Sequence, residues 1–435
     1  MGHSGQQLYE RARRRIPGAT QLLSKRAELF LPGQWPSYYS RAKGVEVWDL
    51  DGERYVDMAY SGIGACVLGY ADPDVDAAVH EAVCLGSMTT LNCPEEVELA
   101  DLLCEIHPWA EMVRYARTGG EAMAMAVRVA RAHTGREKIV FCGYHGWHDW
   151  YLAANLSEND ALVGHLLPGL APAGVPQGLR GTAFPFHYND VRKLEEIAAR
   201  HELAAIVMEP VRGQEPQAGF LKSVREISRR SGTVLIFDEI SSGWRLTSGG
   251  AHLLYGVAPD VAVFAKAISN GYPMAAIIGV ADVMQAFQST FVSSTYWTER
   301  IGPAAALATI RKHRRCEVAK HLIEIGNRVK AGWRRAADRA GLAIKLGGIA
   351  PLASFAFDYP NGQTVRTLFT QLMLEKRFLA TSGFYASYAH QPEHVESYLR
   401  AVEEAFAVLA DAIEKKEVEH LLKGPVAQAG FYRLA

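Results

Sequence analysis

From about residue 110 the chain alternates short apolar runs with amphipathic stretches, and that rhythm narrows the fold more than any other feature. The runs are Met112–Tyr115, Lys138–Cys142, Ala204–Met208, Thr233–Phe237, Val261–Phe264 and Ala275–Val280. Each is too short for a helix and too continuously apolar for a strand with one wet face, so each predicts a strand covered on both sides. Between several of them lie segments with helical spacing, Glu121–His133, Val191–His201 and Leu221–Ser231. Strand, helix, strand in repetition predicts an α/β fold on a mainly parallel, seven-stranded-type sheet.

The flanking regions differ. A short helical arm, Gln6–Arg15, ends at Pro17-Gly18. Val45–Asp49 and Arg54–Met58 alternate around Asp51-Gly52, a hairpin signal, and helices are expected at Asp74–Cys84 and Pro94–Ile106. Beyond Ile301 helical spacing dominates, at Gly302–His313, Ala319–Ala340, Thr364–Lys376 and Glu393–Lys415, with a strand at Leu352–Phe357. The expected division is an N-terminal segment 1–60, a large domain 61–300 and a C-terminal segment 301–435, the two chain ends forming a smaller α/β domain.

Composition removes other classes. Lys and Arg total 46 against 47 Asp and Glu, a net charge of −1, so nothing draws the chain to nucleic acid or anionic lipid at long range. With 49% hydrophobic residues it is no disordered chain. No apolar stretch of about 18 residues spans a membrane. The basic cluster Arg11–Arg15 runs into Ile16-Pro17-Gly18 rather than an apolar leader segment. Six cysteines without a C-x-x-C pair suggest buried reduced thiols, not zinc ligands or a disulfide framework. The expectation is a soluble cytoplasmic protein.

Ligands of open parallel sheets collect beyond the carboxyl ends of the strands. There the sequence places Thr118-Gly119-Gly120, Tyr144, Glu209, Asp238 and Lys266, each following an apolar run. The glycine turn opens a helix and suits a phosphate, or is a plain turn with a threonine cap. Tyr144 is a platform for a flat ring or a core aromatic. Asp238 holds a protonated ring nitrogen or caps a helix. Lys266 is a desolvated Schiff-base amine or a surface lysine lying along apolar residues. His145 and His148 have no third metal ligand at useful spacing, so no metal is expected and both read as hydrogen-bonded structural histidines. Together these parts suit pyridoxal phosphate: an anion cradle, an aromatic face, a carboxylate and an amine.

With these residues in place, the chain resembles class III (fold type I) pyridoxal-phosphate aminotransferases, most of all the glutamate-1-semialdehyde aminomutase branch, over nearly its whole length. Thr118-Gly119-Gly120-Glu121-Ala122 is similar to the family's S-G-T-E-A. Asp238-Glu239-Ile240-Ser241-Ser242-Gly243-Trp244-Arg245 is similar to D-E-V-x-x-G-F-R, and Tyr144-His145-Gly146 and Pro259-Asp260 with Lys266-Ala267-Ile268 also match. The resemblance implies Lys266 as the Schiff-base lysine, Asp238 as the ring-nitrogen partner and Ile240 against the ring face opposite Tyr144. It also implies a homodimer with a shared active site, Thr295 of one subunit reaching the phosphate of the other.

Departures from the pattern bear on substrate. Gly120 stands where the family has threonine, so one hydroxyl contact to phosphate is lost while backbone donors remain. The aminomutase's S-S-P-V-R appears as Leu22-Leu23-Ser24-Lys25-Arg26, and its P-P-S-x-F-E as Ala380-Thr381-Ser382-Gly383-Phe384-Tyr385, without the glutamate. Thr295-Tyr296-Trp297-Thr298-Glu299-Arg300 replaces T-x-S-G-N-P. Arg26, Trp297 and Glu299 are therefore candidate substrate contacts, Glu299 otherwise pairing with Arg300 or Arg245. The expected activity is aminotransfer from an amino acid, glutamate or glutamine, to a carbonyl of an oxidised sugar, as in antibiotic (aminoglycoside) or amino-octulosonate biosynthesis. An aminomutase or epimerase using the same lysine is the alternative.

Overall fold

A computed structural model of the chain describes residues 4–157, 161–165, 170–211 and 213–430. The chain divides into two compact units, 73–319 and 1–72 with 320–435.

The larger unit is built on a seven-stranded sheet ordered Met112–Ala116, Ala275–Gly279, Val261–Phe264, Val234–Asp238, Leu203–Met208, Lys138–Cys142 and Ala183–Pro185. All strands run parallel except Ala275–Gly279, which is antiparallel to both neighbours. Every residue of the four strands from Ala275–Gly279 through Leu203–Met208 is buried, as their uninterrupted apolar runs require. One core cluster lies on the face covered by the Gly119–Thr134 helix; a second, around Val224, Leu194 and Phe237, lies under Val191–Arg200 and Phe220–Ser231. The Ile301–Arg315 helix, expected to open the C-terminal domain, belongs to the larger unit instead. It packs on Pro73–Cys84 and on the turn after Lys266, because its buried face of Ala304, Ala305, Ala306 and Leu307 is small enough for close approach.

In the smaller unit, Tyr39–Lys43, Glu46–Asp49 and Arg54–Asp57 form an antiparallel sheet that Phe378–Leu379 joins in parallel. A second sheet pairs Ile344–Gly347, Leu352–Phe357 and Gly383–Tyr385. The cysteines differ from expectation: only Cys142 is buried, Cys84 is exposed and the other four are half-buried, and none forms a disulfide. No helix among the described residues is long and apolar enough to cross a membrane.

Three buried histidines tie stability to pH. In His107, Nε2 accepts from the Gly250 N–H at 2.9 Å while Nδ1 donates to the Leu103 carbonyl. In His390, Nδ1 accepts from the Ser387 N–H at 2.9 Å and Nε2 donates to the Asp57 carbonyl. In His313, Nε2 donates to the Trp244 carbonyl and Nδ1 faces the Ser248 hydroxyl at 3.1 Å. Each ring is satisfied when neutral, and burial pushes each pKa down from 6.5 to about 4. The unfolded chain therefore binds protons that the folded chain refuses. The stabilisation is complete above about pH 6.5 and is lost as pH falls toward 4, at about 1.4 kcal/mol per pKa unit for each ring. Asp57 and Glu96, whose carboxyls burial pushes up, oppose the trend. Denaturant midpoints are expected to fall steeply between pH 6.5 and 4; a flat profile would contradict the neutral assignment.

Candidate active site

The carboxyl ends of the parallel strands bring most of the predicted residues of the larger unit to one cleft. Asp238 closes the Val234–Asp238 strand, and Ile240, two residues on, donates its N–H to Asp238 Oδ1 at 3.0 Å. Asp238 pairs in register with Val263 on the next strand, and Lys266 begins the turn just beyond. Lys266 Nζ donates to Ser241 Oγ at 2.7 Å, so the lysine amine stands over the segment that leaves Asp238. Its backbone has φ +51°, a left-handed conformation uncommon for a side-chain-bearing residue and frequent where a functional group must be held. Lys266 is half-buried rather than a surface lysine.

Asp238 is 3% exposed and has a partner the sequence reading did not assign. His145 Nδ1 lies 2.8 Å from Asp238 Oδ2, and its Nε2 lies 3.1 Å from the Cys142 carbonyl. A carbonyl only accepts, so Nε2 donates to it, and Nδ1 is left facing the buried carboxylate. Asp238 is not a helix cap but a buried carboxylate with its second oxygen on a backbone N–H.

Around this pair stand the remaining groups. Thr118 caps the Gly119–Thr134 helix in a capping box with Glu121, whose carboxylate takes the Thr118 N–H at 3.0 Å. The Gly119 and Gly120 N–H groups are first-turn donors with no partner inside the helix. A side chain on either glycine would push on a neighbour: a Cβ on Gly119 would stand 2.8 Å from Ile240 Cδ1, and one on Gly120 would stand 2.9 Å from His148 Cε1. Tyr144 is 38% exposed and edge-on to Tyr151 at 6.2 Å, so it is not a core aromatic. Glu209 is buried with Oε2 3.5 Å from the Tyr144 N–H, on the wall of a cavity of about 260 Å³ shared with His165, His187, Tyr188 and Gln214. His165 accepts from the Gly143 N–H at 3.2 Å and stacks on His187 at 5.2 Å; burial, with His187 and His145 beside it, pushes its pKa down to about 4.

Glu299 is committed to structure: its Oε1 receives Arg117 Nε at 2.8 Å and the Gly302 N–H at 2.8 Å, and its Oε2 receives the Ile301 N–H at 2.6 Å. Its cation is Arg117, neither Arg300, which pairs with Glu95 at 2.6 Å, nor Arg245. Both carboxylate oxygens of Glu299 thus already receive donors. Arg117→Ala is expected to lower stability by roughly 3 kcal/mol by leaving a mostly buried carboxylate without its cation. A thermal midpoint depressed by several degrees would show it; an unchanged midpoint would contradict it. Trp297 is half-buried against the core of the larger unit. Thr295 is exposed at the start of the Thr295–Thr298 turn. Arg26 belongs to the smaller unit, where its guanidinium lies over Gly18.

A glycine turn at a helix start, an exposed aromatic, a buried carboxylate and a half-buried lysine beyond the carboxyl ends of one sheet suit pyridoxal phosphate, and the first-turn N–H groups of Gly119 and Gly120 fit its phosphate. The comparisons agree on the family. The pattern of aminotransferase class-III matches residues 32–349. The 3-aminobutyryl-CoA aminotransferase of Cloacimonas acidaminovorans (strain Evry) is 31% identical, with 92% of this chain and 96% of that protein covered. The 2'-deamino-2'-hydroxyneamine transaminase of Streptomyces kanamyceticus is 31% identical over 84% and 90%. A glutamate-1-semialdehyde 2,1-aminomutase of Desulforudis audaxviator (strain MP104C) is 34% identical over 92% and 96%. Among solved structures, the FumI protein of Sphingopyxis sp. MTA144, in a form with pyridoxal phosphate, superposes with a TM-score of 0.86 at 26% identity, covering 95% and 98%. The chain belongs to the class-III aminotransferases, and its cofactor is pyridoxal phosphate.

Proposed function

We propose that this aminotransferase moves an amino group from glutamate or glutamine to the aldehyde or ketone of an oxidised sugar, in the cytoplasm and as a homodimer. The observation that carries the aminotransfer is Lys266 Nζ held on Ser241 Oγ just beyond the strand pair that delivers Asp238. When bound, the coenzyme withdraws electrons from the amine-bearing carbon of the substrate. Lys266 Nζ then takes the proton from that carbon and returns one to the acceptor carbon in the reverse half of the cycle. Asp238, held in place by His145 and the Ile240 N–H, holds the proton on the ring nitrogen. Tyr144 and Ile240 orient the ring between them, and the Gly119 and Gly120 N–H groups with Thr118 receive the phosphate.

The sugar acceptor is supported by the cavity beside Tyr144. Glu209, Gln214, Tyr188 and the His165–His187 pair line it with hydrogen-bonding groups of both kinds, which suits the hydroxyls of a sugar. The Streptomyces relative's name places a transaminase on an aminoglycoside precursor. Arg26 and Trp297 remain proposed substrate contacts. Homodimer formation is supported by exposed large apolar residues on the larger unit, with Leu91 81%, Tyr296 70% and Phe291 96% accessible, near the exposed Thr295 proposed to reach the partner's phosphate site. Sedimentation at micromolar concentration tests the dimer.

Supplying candidate oxidised sugars with glutamate tests the transfer: 2-oxoglutarate release that requires the sugar supports it, and none with any sugar tried opposes it. The aminomutase reading is favoured by the 34% identical relative. Turnover of an amino-aldehyde alone, without donor, would establish that reading instead.

A further inference from the structure

The loop after the Lys138–Cys142 strand holds a side chain for which the site as described has no use. His148 sits with its ring edge over Gly120: a Cβ built there would lie 2.9 Å from Cε1 and 3.1 Å from Nδ1. The ring therefore fills the space that any side chain at position 120 would take. Nδ1 is shut off from solvent and has no hydrogen-bond partner. Though His148 immediately precedes the short Asp149–Leu152 helix, its side chain makes no capping bond to it. Trp147 stacks on the imidazole at 4.2 Å, and Gly146, with φ +100°, brings the loop backbone against Gly120. A buried nitrogen without a partner costs roughly 1–3 kcal/mol, so a position of this kind is expected to have one in the working protein.

What faces that nitrogen is the first turn of the Gly119–Thr134 helix, whose Gly119 and Gly120 N–H groups are also unsatisfied within the helix. The His148 ring edge against Gly120 thus stands beside first-turn N–H groups at the positive end of a helix dipole, where an anion is favoured. The nearby carboxylate of Glu121 does not occupy it, being tied to the Thr118 N–H and hydroxyl. We propose that His148 Nδ1 is a ligand of the coenzyme's phosphate, supplying from the neighbouring loop the side-chain hydrogen bond that Gly120 lacks. Trp147 holds the ring in that orientation. The inference rests on pyridoxal phosphate occupying this cleft, and it adds a residue that the strand-end reading left as merely structural. Burial lowers the His148 pKa against the opposing pull of Glu121 and Asp149.

The experiment is equilibrium titration of the full-length apoprotein with pyridoxal phosphate and, in parallel, with pyridoxal, which lacks the phosphate, read from the visible band of the lysine-linked coenzyme. His148→Ala is expected to weaken pyridoxal phosphate by about ten- to a hundredfold, the worth of one hydrogen bond to a charged group, and to change pyridoxal by less than twofold. Gly120→Thr alone is expected to weaken pyridoxal phosphate, since its Cβ meets the ring. Gly120→Thr combined with His148→Ala is expected to recover at least fivefold over His148→Ala. Should His148→Ala fail to fold, His148→Asn, which keeps a donor, is expected to bind more tightly than His148→Leu. Equal losses for the two coenzyme forms, or an unchanged pyridoxal phosphate affinity, would overturn the phosphate role. Failure of the unsubstituted protein to bind pyridoxal phosphate would instead overturn the cofactor assignment on which the proposal rests.

Discussion

Lys266→Ala is expected to abolish turnover, by about 10⁴-fold or more, while leaving the fold in place. The side chain is half-buried at the rim of the sheet, with its amine on Ser241 Oγ at 2.7 Å, so truncation opens no large cavity in the core. What is lost is chemical. No other amine is described at that position, and general acid–base transfer by a positioned group is worth about 10²–10⁴-fold on its own, with covalent attachment added to it. The measurement is single-turnover kinetics with a saturating amino donor, together with far-ultraviolet circular dichroism. Partial rescue by a small exogenous amine would show that a free nitrogen base can stand in. Turnover within tenfold of the unsubstituted protein would remove Lys266 from the reaction.

Asp238→Asn has the second largest expected effect, a fall in kcat of about 10²–10³-fold. Asparagine fills nearly the same space, so the loss isolates charge from shape. The neutral amide no longer holds a proton on the ring nitrogen, and the coenzyme withdraws electrons less strongly. There is a structural cost as well. His145 Nδ1 lies 2.8 Å from Asp238 Oδ2, and an amide that cannot accept from both His145 and the Ile240 N–H leaves a buried polar group unpaired, so stability should fall by about 1–3 kcal/mol. If the amide instead turns its oxygen to His145, the Ile240 N–H loses its acceptor at 3.0 Å. A kcat within tenfold of the unsubstituted value would contradict the role of the carboxylate, whatever the change in stability.

The central sheet was legible because burial on both faces forces long apolar runs, and six of its seven strands announce themselves that way. The seventh, Ala183–Pro185, has three residues at a sheet edge and ends in proline, so it carries too few apolar positions to stand out. Tyr39–Lys43 is likewise an edge strand, with four of five residues exposed, and its Y-S-R-A-K has no pattern that burial would impose. The reversed direction of Ala275–Gly279 had a signal that was not used. Only residues 265–274 separate it from Val261–Phe264, too few for the crossover that a parallel neighbour needs.

In the site, residues at the ends of their own strands were legible one by one, since a charged group closing an apolar run must have a reason to be there. Pairings across the sheet were not. Asp238 and His145 are 93 positions apart, and no local spacing joins them. Arg117 and Glu299 are 182 apart, and charge alone made Arg300 and Arg245 equally good partners on paper. The decisive fact, that Glu299 also receives the Ile301 and Gly302 N–H groups at a helix start, lies in backbone geometry.

The most direct test is to load the protein with pyridoxal phosphate, fix any imine with borohydride, digest it and locate the modified residue by mass spectrometry. A single pyridoxyl-lysine at Lys266, with loss of the visible band on reduction, is the expected result. A label on another lysine, or none, would contradict the assignment of Lys266 as the residue that carries the coenzyme.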